Sequence, residues 1–189
     1  MIAHAFKLDR FEPERIVTSN LVGPKTLAGI RFVETLYVWI VIISKWATSA
    51  SAQDYLKYFT NLTYCGLAAY LLCTSLWTIG YLRQPSSERN DWINNKAGGW
   101  LGYLHWLLYS TVICFHVIVP IVFWTLLNTG TLPTPLARWQ NISVHLLDGV
   151  LAISELVFNR HFLQPIHSLF VAGVMLFYMF LTFVVYATQ

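Results

Sequence analysis

Four polar side chains recur along an otherwise apolar stretch: Asn141, His145, Asp148 and Glu155, at offsets of 0, 4, 7 and 14. In a helix those offsets share one face, with Val144, Leu146, Leu147, Val150 and Leu151 opposite. A second group, Tyr58-Phe59-Thr60-Asn61-Leu62-Thr63-Tyr64, brings hydroxyls and an amide to the start of another apolar run. His105, Tyr109 and His116 form a third, at offsets of 0, 4 and 11. Acyl transfer is the chemistry such residues could perform. A threonine hydroxyl becomes a nucleophile beside a base, and histidine is the side chain best suited to be that base near neutral pH. Asn141 or Asp148, one turn from His145, could orient its imidazole, and Asn61 is a candidate oxyanion donor. His116 and Glu155 are further candidates, because ionisable groups within apolar spans are costly. No Glu-x-x-His or His-x-x-x-His pair occurs, so no metal is expected, and no cofactor. The same residues also suit a plainer role as hydrogen-bonding glue between helices. The hydroxyls could equally bond back to their own backbone.

The elements that must position these groups follow from composition. The 189 residues are 56% apolar and 11% charged, with a mean hydropathy of +0.53. An ordinary soluble domain is about 25% charged, so a soluble enzyme, a disordered chain and a nucleic-acid binder are all excluded as readings. Cys65, Cys73 and Cys114 lie in apolar runs without CxxC spacing and suggest neither a disulfide framework nor a zinc site.

A hydrocarbon core needs roughly 20 apolar residues per helical span. Five runs qualify, at about residues 30–46, 57–81, 100–127, 139–158 and 165–188. The fold class expected is therefore an all-α, multi-span transmembrane bundle. Residues 1–29 form a cytoplasmic N-terminal segment, and residues 30–189 form the transmembrane domain. Nine Lys and Arg residues (7, 10, 15, 25, 31, 83, 89, 96 and 160) fall on one side of this layout. Lys45, Lys57 and Arg138 fall on the other, the first two at helix ends where they can snorkel. The bias places the N-terminus in the cytoplasm. Trp46, Trp92, Trp100 and Trp139 are expected near the interfaces.

That topology sets two of the polar groups side by side. The second and fourth spans enter from the same face, near Lys57 and Arg138. Thr60 lies three residues beyond the first and His145 seven beyond the second. At about 1.5 Å per residue the two side chains lie within roughly one turn of equal depth.

The stretch Leu56-Lys57-Tyr58-Phe59-Thr60 resembles the androgen-induced-protein-like family. So does the segment from Phe123-Trp124 through Pro133 to Asn141-x-x-x-His145 and Glu155. Weaker similarity runs through Arg31 and Leu36-Tyr37, so the likeness covers most of residues 28–187 and is greatest to fungal-type members with Asn-x-Ser-x-His. The resemblance implies a six-span protein of the endomembrane system, in the endoplasmic reticulum or plasma membrane. It also implies hydrolysis of fatty acid esters of hydroxy fatty acids by a threonine nucleophile, Thr60, and a histidine, His145. Its partners would be membrane lipids and the lipid ester substrate, with no nucleic acid. The chain departs from the family in showing five spans, and in carrying Asp148 where the animal enzymes are apolar. A sixth apolar segment is accordingly expected beyond Tyr186-Ala-Thr-Gln189. Rolling-stone-like membrane proteins share a similar Thr-Asn opening and a later histidine, and give the alternative of a non-enzymatic membrane protein.

Overall fold

Helices that are apolar all round belong among other helices or in lipid, and the architecture follows that rule. The computed structural model describes residues 10–49, 55–128, 130 and 132–187. Among these there is no strand. Five helices are long and apolar enough to cross a membrane: Pro24–Thr48, Phe59–Arg83, Trp100–Leu127, Pro135–Phe158 and Pro165–Ala187. Lys7, residues 50–54, Thr188 and any span beyond Gln189 lie outside the described residues.

The helix ends differ from the apolar boundaries for local reasons. The first span begins at Pro24 rather than residue 30 and the fourth at Pro135 rather than 139. Both prolines occupy the first turn, where a missing N–H leaves nothing unpaired. Thr134 caps the fourth span by accepting from the Ala137 N–H at 3.1 Å. The second span starts at Phe59 rather than 57 and runs on to Arg83. Helix continues past the apolar run in each case, because backbone hydrogen bonding tolerates polar residues at the membrane boundary.

The first and second spans pack together most extensively, and the third packs against both the second and the fourth. Val38, Val41, Tyr64, Leu67, Leu71, Trp106, Tyr109, Val112, Val144 and Ala152 form the shared core. The fifth span leans on the third, and none of its residues from Ser168 to Ala187 is buried. A short helix, Glu14–Val17, and another, Arg89–Ala97, close one end of the bundle. Ile16, Val17, Tyr81 and Ile93 form a second apolar cluster there, with Trp77 and Trp92 against it. Trp92, expected in an interfacial belt, lies half-buried against this cluster at the end of the bundle.

Charge is buried at that same end. Arg31 grips Glu155 through two bonds, Nε to Oε1 at 2.7 Å and Nη2 to Oε2 at 2.9 Å. Its third nitrogen donates to the Ile16 carbonyl at 2.5 Å and to Thr78 Oγ1 at 2.9 Å. Tyr70 and Asn159 donate to Glu155 Oε2 at 2.7 and 3.1 Å. A planar guanidinium suits this two-pronged contact. Arg31 therefore serves as a core ion-pair partner, and its place among the topology markers needs correcting. Eight residues against three still carry the charge bias.

Candidate active site

Two short π-helical segments, Phe123–Leu127 in the third span and Ser143–Leu147 in the fourth, face each other and converge on His145. In each, an N–H reaches back five residues, as from Asn128 to the Phe123 carbonyl at 2.8 Å. Such widened turns re-aim side chains and concentrate at functional sites. Pro120 lies just before the first of them, and its missing N–H and bulky ring loosen the ladder there. Gly149 sits against Pro120 and the His116 carbonyl so tightly that a Cβ would collide with both. Only glycine lets the third and fourth spans approach this closely beside the site.

Both ring nitrogens, one ring face and the backbone carbonyl of His145 have partners. Its Nδ1 lies 3.1 Å from the Asn141 carbonyl oxygen. A carbonyl can only accept, so Nδ1 carries the hydrogen and Nε2 presents its lone pair. That lone pair faces the Thr60 hydroxyl, with Oγ1 at 3.3 Å. The distance is slightly beyond the roughly 2.6–3.2 Å of a working general base, as is common before substrate binds. The Phe123 ring stacks on the imidazole with centroids 3.6 Å apart. Trp124 Nε1 donates to the His145 carbonyl at 2.7 Å. Sequence reasoning gave Phe123 and Trp124 no role in the site. Both open the segment that carries the family resemblance, and both follow Pro120 in sequence.

The two threonines of the second span differ. Thr63 Oγ1 bonds back to the Thr60 carbonyl at 3.1 Å, the self-satisfied state usual in membrane helices. Thr60 points across the bundle to His145 instead. Within its first helical turn, the Phe59 N–H donates to Tyr178 Oη at 3.0 Å. The N–H groups of Asn61 and Leu62 both go to the Tyr58 carbonyl. That leaves the Thr60 N–H without a partner among the described residues, at the positive end of a 25-residue helix.

Several expectations about the neighbours need correcting. Asn141 orients His145 through its backbone carbonyl, not its amide. Asp148 does not touch His145: its Oδ2 meets His116 Nδ1 at 3.0 Å, with both side chains fully buried. His116 Nε2 faces the Thr63 carbonyl at 3.1 Å, so Nε2 is a donor, and the His116–Asp148 pair must share one proton along the Nδ1–Oδ2 line. Glu155 lies ten residues from His145, in the Arg31 network. Val144, placed opposite the stripe, is fully buried; three residues after Asn141 and four before Asp148, it belongs on the stripe's own side of the helix. The π-helical turn over Ser143–Leu147 lies between His145 and Asp148, and Asp148 meets the third span at His116. Asn61 lends Nδ2 to the Tyr55 carbonyl at 2.7 Å and so helps to hold the chain leading into the second span.

Two spaces open along the start of the second span, and Thr60 lines the first of them. One is an open cavity of about 380 Å³ whose wall includes Lys45, Thr48, Tyr58, Thr60, Asn61 and His145. The other is an apolar groove of about 300 Å³ between the second, third and fifth spans, lined by Phe59, Leu62, Thr63, Leu108, Phe170 and Tyr178 among others. No group of three or more His, Cys, Asp or Glu suited to a metal occurs among the described residues. No family model, curated protein or solved structure matches the chain.

Proposed function

We propose that this integral membrane protein hydrolyses lipid esters, with Thr60 as nucleophile and His145 as general base. One observation carries the reading: the lone pair of His145 Nε2, its tautomer set by the Asn141 carbonyl, faces the Thr60 hydroxyl. Thr60 Oγ1 attacks the ester carbonyl carbon as its proton passes to Nε2. The tetrahedral oxyanion forms beside the unpaired Thr60 N–H, where the helix terminus favours negative charge. Collapse breaks the ester C–O bond, and the leaving alcohol takes the proton from His145. Water, deprotonated by the same nitrogen, then attacks the acyl-threonine. The fatty acid departs and Thr60 regains its proton.

The surroundings suit a lipid. An acyl chain already dissolved in the bilayer can enter from the side, and the apolar groove reaches Phe59, the residue before Thr60. The resemblance to the androgen-induced-protein-like family supports fatty acid esters of hydroxy fatty acids as substrates and the endomembrane system as the compartment. The charge bias supports a cytoplasmic N-terminus.

The alternative is a non-enzymatic membrane protein resembling the rolling-stone-like proteins. Polar bonds that only tie helices together favour it, such as Tyr37 to Ser143 at 2.6 Å and Thr35 to Ser75 at 2.7 Å. Ester hydrolysis by the purified, reconstituted chain separates the two. Catalysis requires that Thr60→Ala and His145→Gln fold normally and lose turnover, while Thr63→Ala keeps it. Turnover that survives Thr60→Ala would remove the proposed nucleophile.

A further inference from the structure

The cavity beside Thr60 contains a cation that the ester-cleaving steps do not use. We propose that Lys45 is a specificity-determining residue that holds a free carboxylate on the substrate while the ester lies at Thr60. The proposal rests on the reading of Thr60 and His145 as the ester-cleaving pair.

Lys45 stands in the last turn of the first span, half-buried, and shares a cavity wall with Thr60 and His145. Snorkelling to the membrane surface would leave it clear of the site; its side chain lines the site instead. Among the described residues Lys45 has no ion-pair or hydrogen-bond acceptor, and no Asp or Glu lines the cavity. A half-buried ammonium without a counter-ion is costly, and among the described residues none offsets this one.

The charge is also held in register with the dyad. Gln140 Nε2 donates to Ser44 Oγ at 2.9 Å and to Thr48 Oγ1 at 3.2 Å. Ser44 and Thr48 flank Lys45 on the first span, and Gln140 stands five residues before His145 on the fourth. One side chain thus ties the turn bearing the ammonium to the helix bearing the base. No arginine among the described residues lines the cavity. A single lysine is a point charge without the planar fork that suits phosphate, so a monovalent carboxylate matches it better than a phosphate dianion.

The test uses the full chain in phosphatidylcholine vesicles and one ester of a hydroxy fatty acid, supplied as the free acid and as its methyl ester. Wild type should favour the free acid by about tenfold in kcat/KM, mostly through KM, a factor equivalent to about 1.4 kcal/mol. Lys45→Met should bring that preference close to unity with kcat little changed, and Lys45→Arg should restore most of it. Equal rates on the two substrates, or an unchanged preference in Lys45→Met, would overturn the proposal. Binding of a spin-labelled fatty acid, its methyl ester and a lysophosphatidic acid of equal chain length separates the two readings. Lys45-dependent binding of the fatty acid without any hydrolysis keeps the carboxylate site and removes the hydrolase. Equal Lys45-dependent binding of the phosphate-headed lipid overturns carboxylate selectivity, and absence of both binding and hydrolysis overturns both.

Discussion

Trp124 holds the backbone of His145: the indole N–H meets the His145 carbonyl at 2.7 Å, joining the two π-helical turns. A backbone carbonyl has two lone pairs, so the His145 oxygen can accept from a neighbouring span. The position of the imidazole therefore depends on the third span as well as on its own.

Replacing Trp124 with Phe keeps an aromatic ring and removes the donor. A hydrogen bond of this kind contributes about 0.5–1.5 kcal/mol, so turnover should fall roughly three- to tenfold, with the melting temperature in detergent little changed. Phe123→Ala, which removes the stacked ring, should lower turnover further. Initial rates alongside a thermal melt check both.

The proton count of the His116–Asp148 pair gives a sharper expectation. Asparagine at 148 can donate its amide N–H to Nδ1 of a neutral His116, leaving Nε2–H on the Thr63 carbonyl. Asp148→Asn should therefore stay near wild-type stability. Asp148→Ala strands a buried partner, which costs about 3–5 kcal/mol. Thermal melts of the two variants should separate clearly; equal losses would mean that the shared-proton assignment is wrong.

A similar contrast applies to Arg31 and Glu155. Either residue changed to Met leaves an uncompensated buried charge, with a loss of about 3–5 kcal/mol. The double change to Met removes both charges and should recover much of that loss. A double-mutant cycle on folding yield and melting temperature measures the coupling.

Much of this fold was open to sequence reasoning, and the site was open only in part. Five apolar runs identify five spans, because the bilayer dictates length and composition. Thr60 and His145 could be set at one depth from Lys57 and Arg138, since helical rise is constant. The stripe was different. A single 3.6-residue period was carried from Asn141 to Glu155 through a π-helical turn, and so it linked Asp148 to His145 rather than to His116. No residue type announces a π-helical turn. Arg31 was legible as charge but not as the partner of Glu155, which stands 124 residues away in sequence. Pairing between spans is decided by packing that no single helix encodes.

Acid should loosen the end of the bundle capped by the N-terminal segment. His161 lies in the connection between the fourth and fifth spans, stacked on Phe11 with centroids 5.7 Å apart. Burial, with His105 and Arg31 nearby, holds its imidazole well below the ordinary 6.5. The folded state therefore resists a proton that the unfolded state accepts. Stability from the neutral ring is fully present above about pH 6.5 and is lost as pH falls below it toward the depressed value. His161→Phe should flatten this acid limb in melts taken from pH 8 to pH 5.

The central claim, that Thr60 is the nucleophile, is tested most directly by mapping the adduct of a fluorophosphonate probe on the reconstituted chain by mass spectrometry. The account predicts a single modified residue, Thr60, with labelling abolished in Thr60→Ala, strongly reduced in His145→Gln and retained in Thr63→Ala. An adduct on any other residue, or labelling that persists in Thr60→Ala, would contradict it.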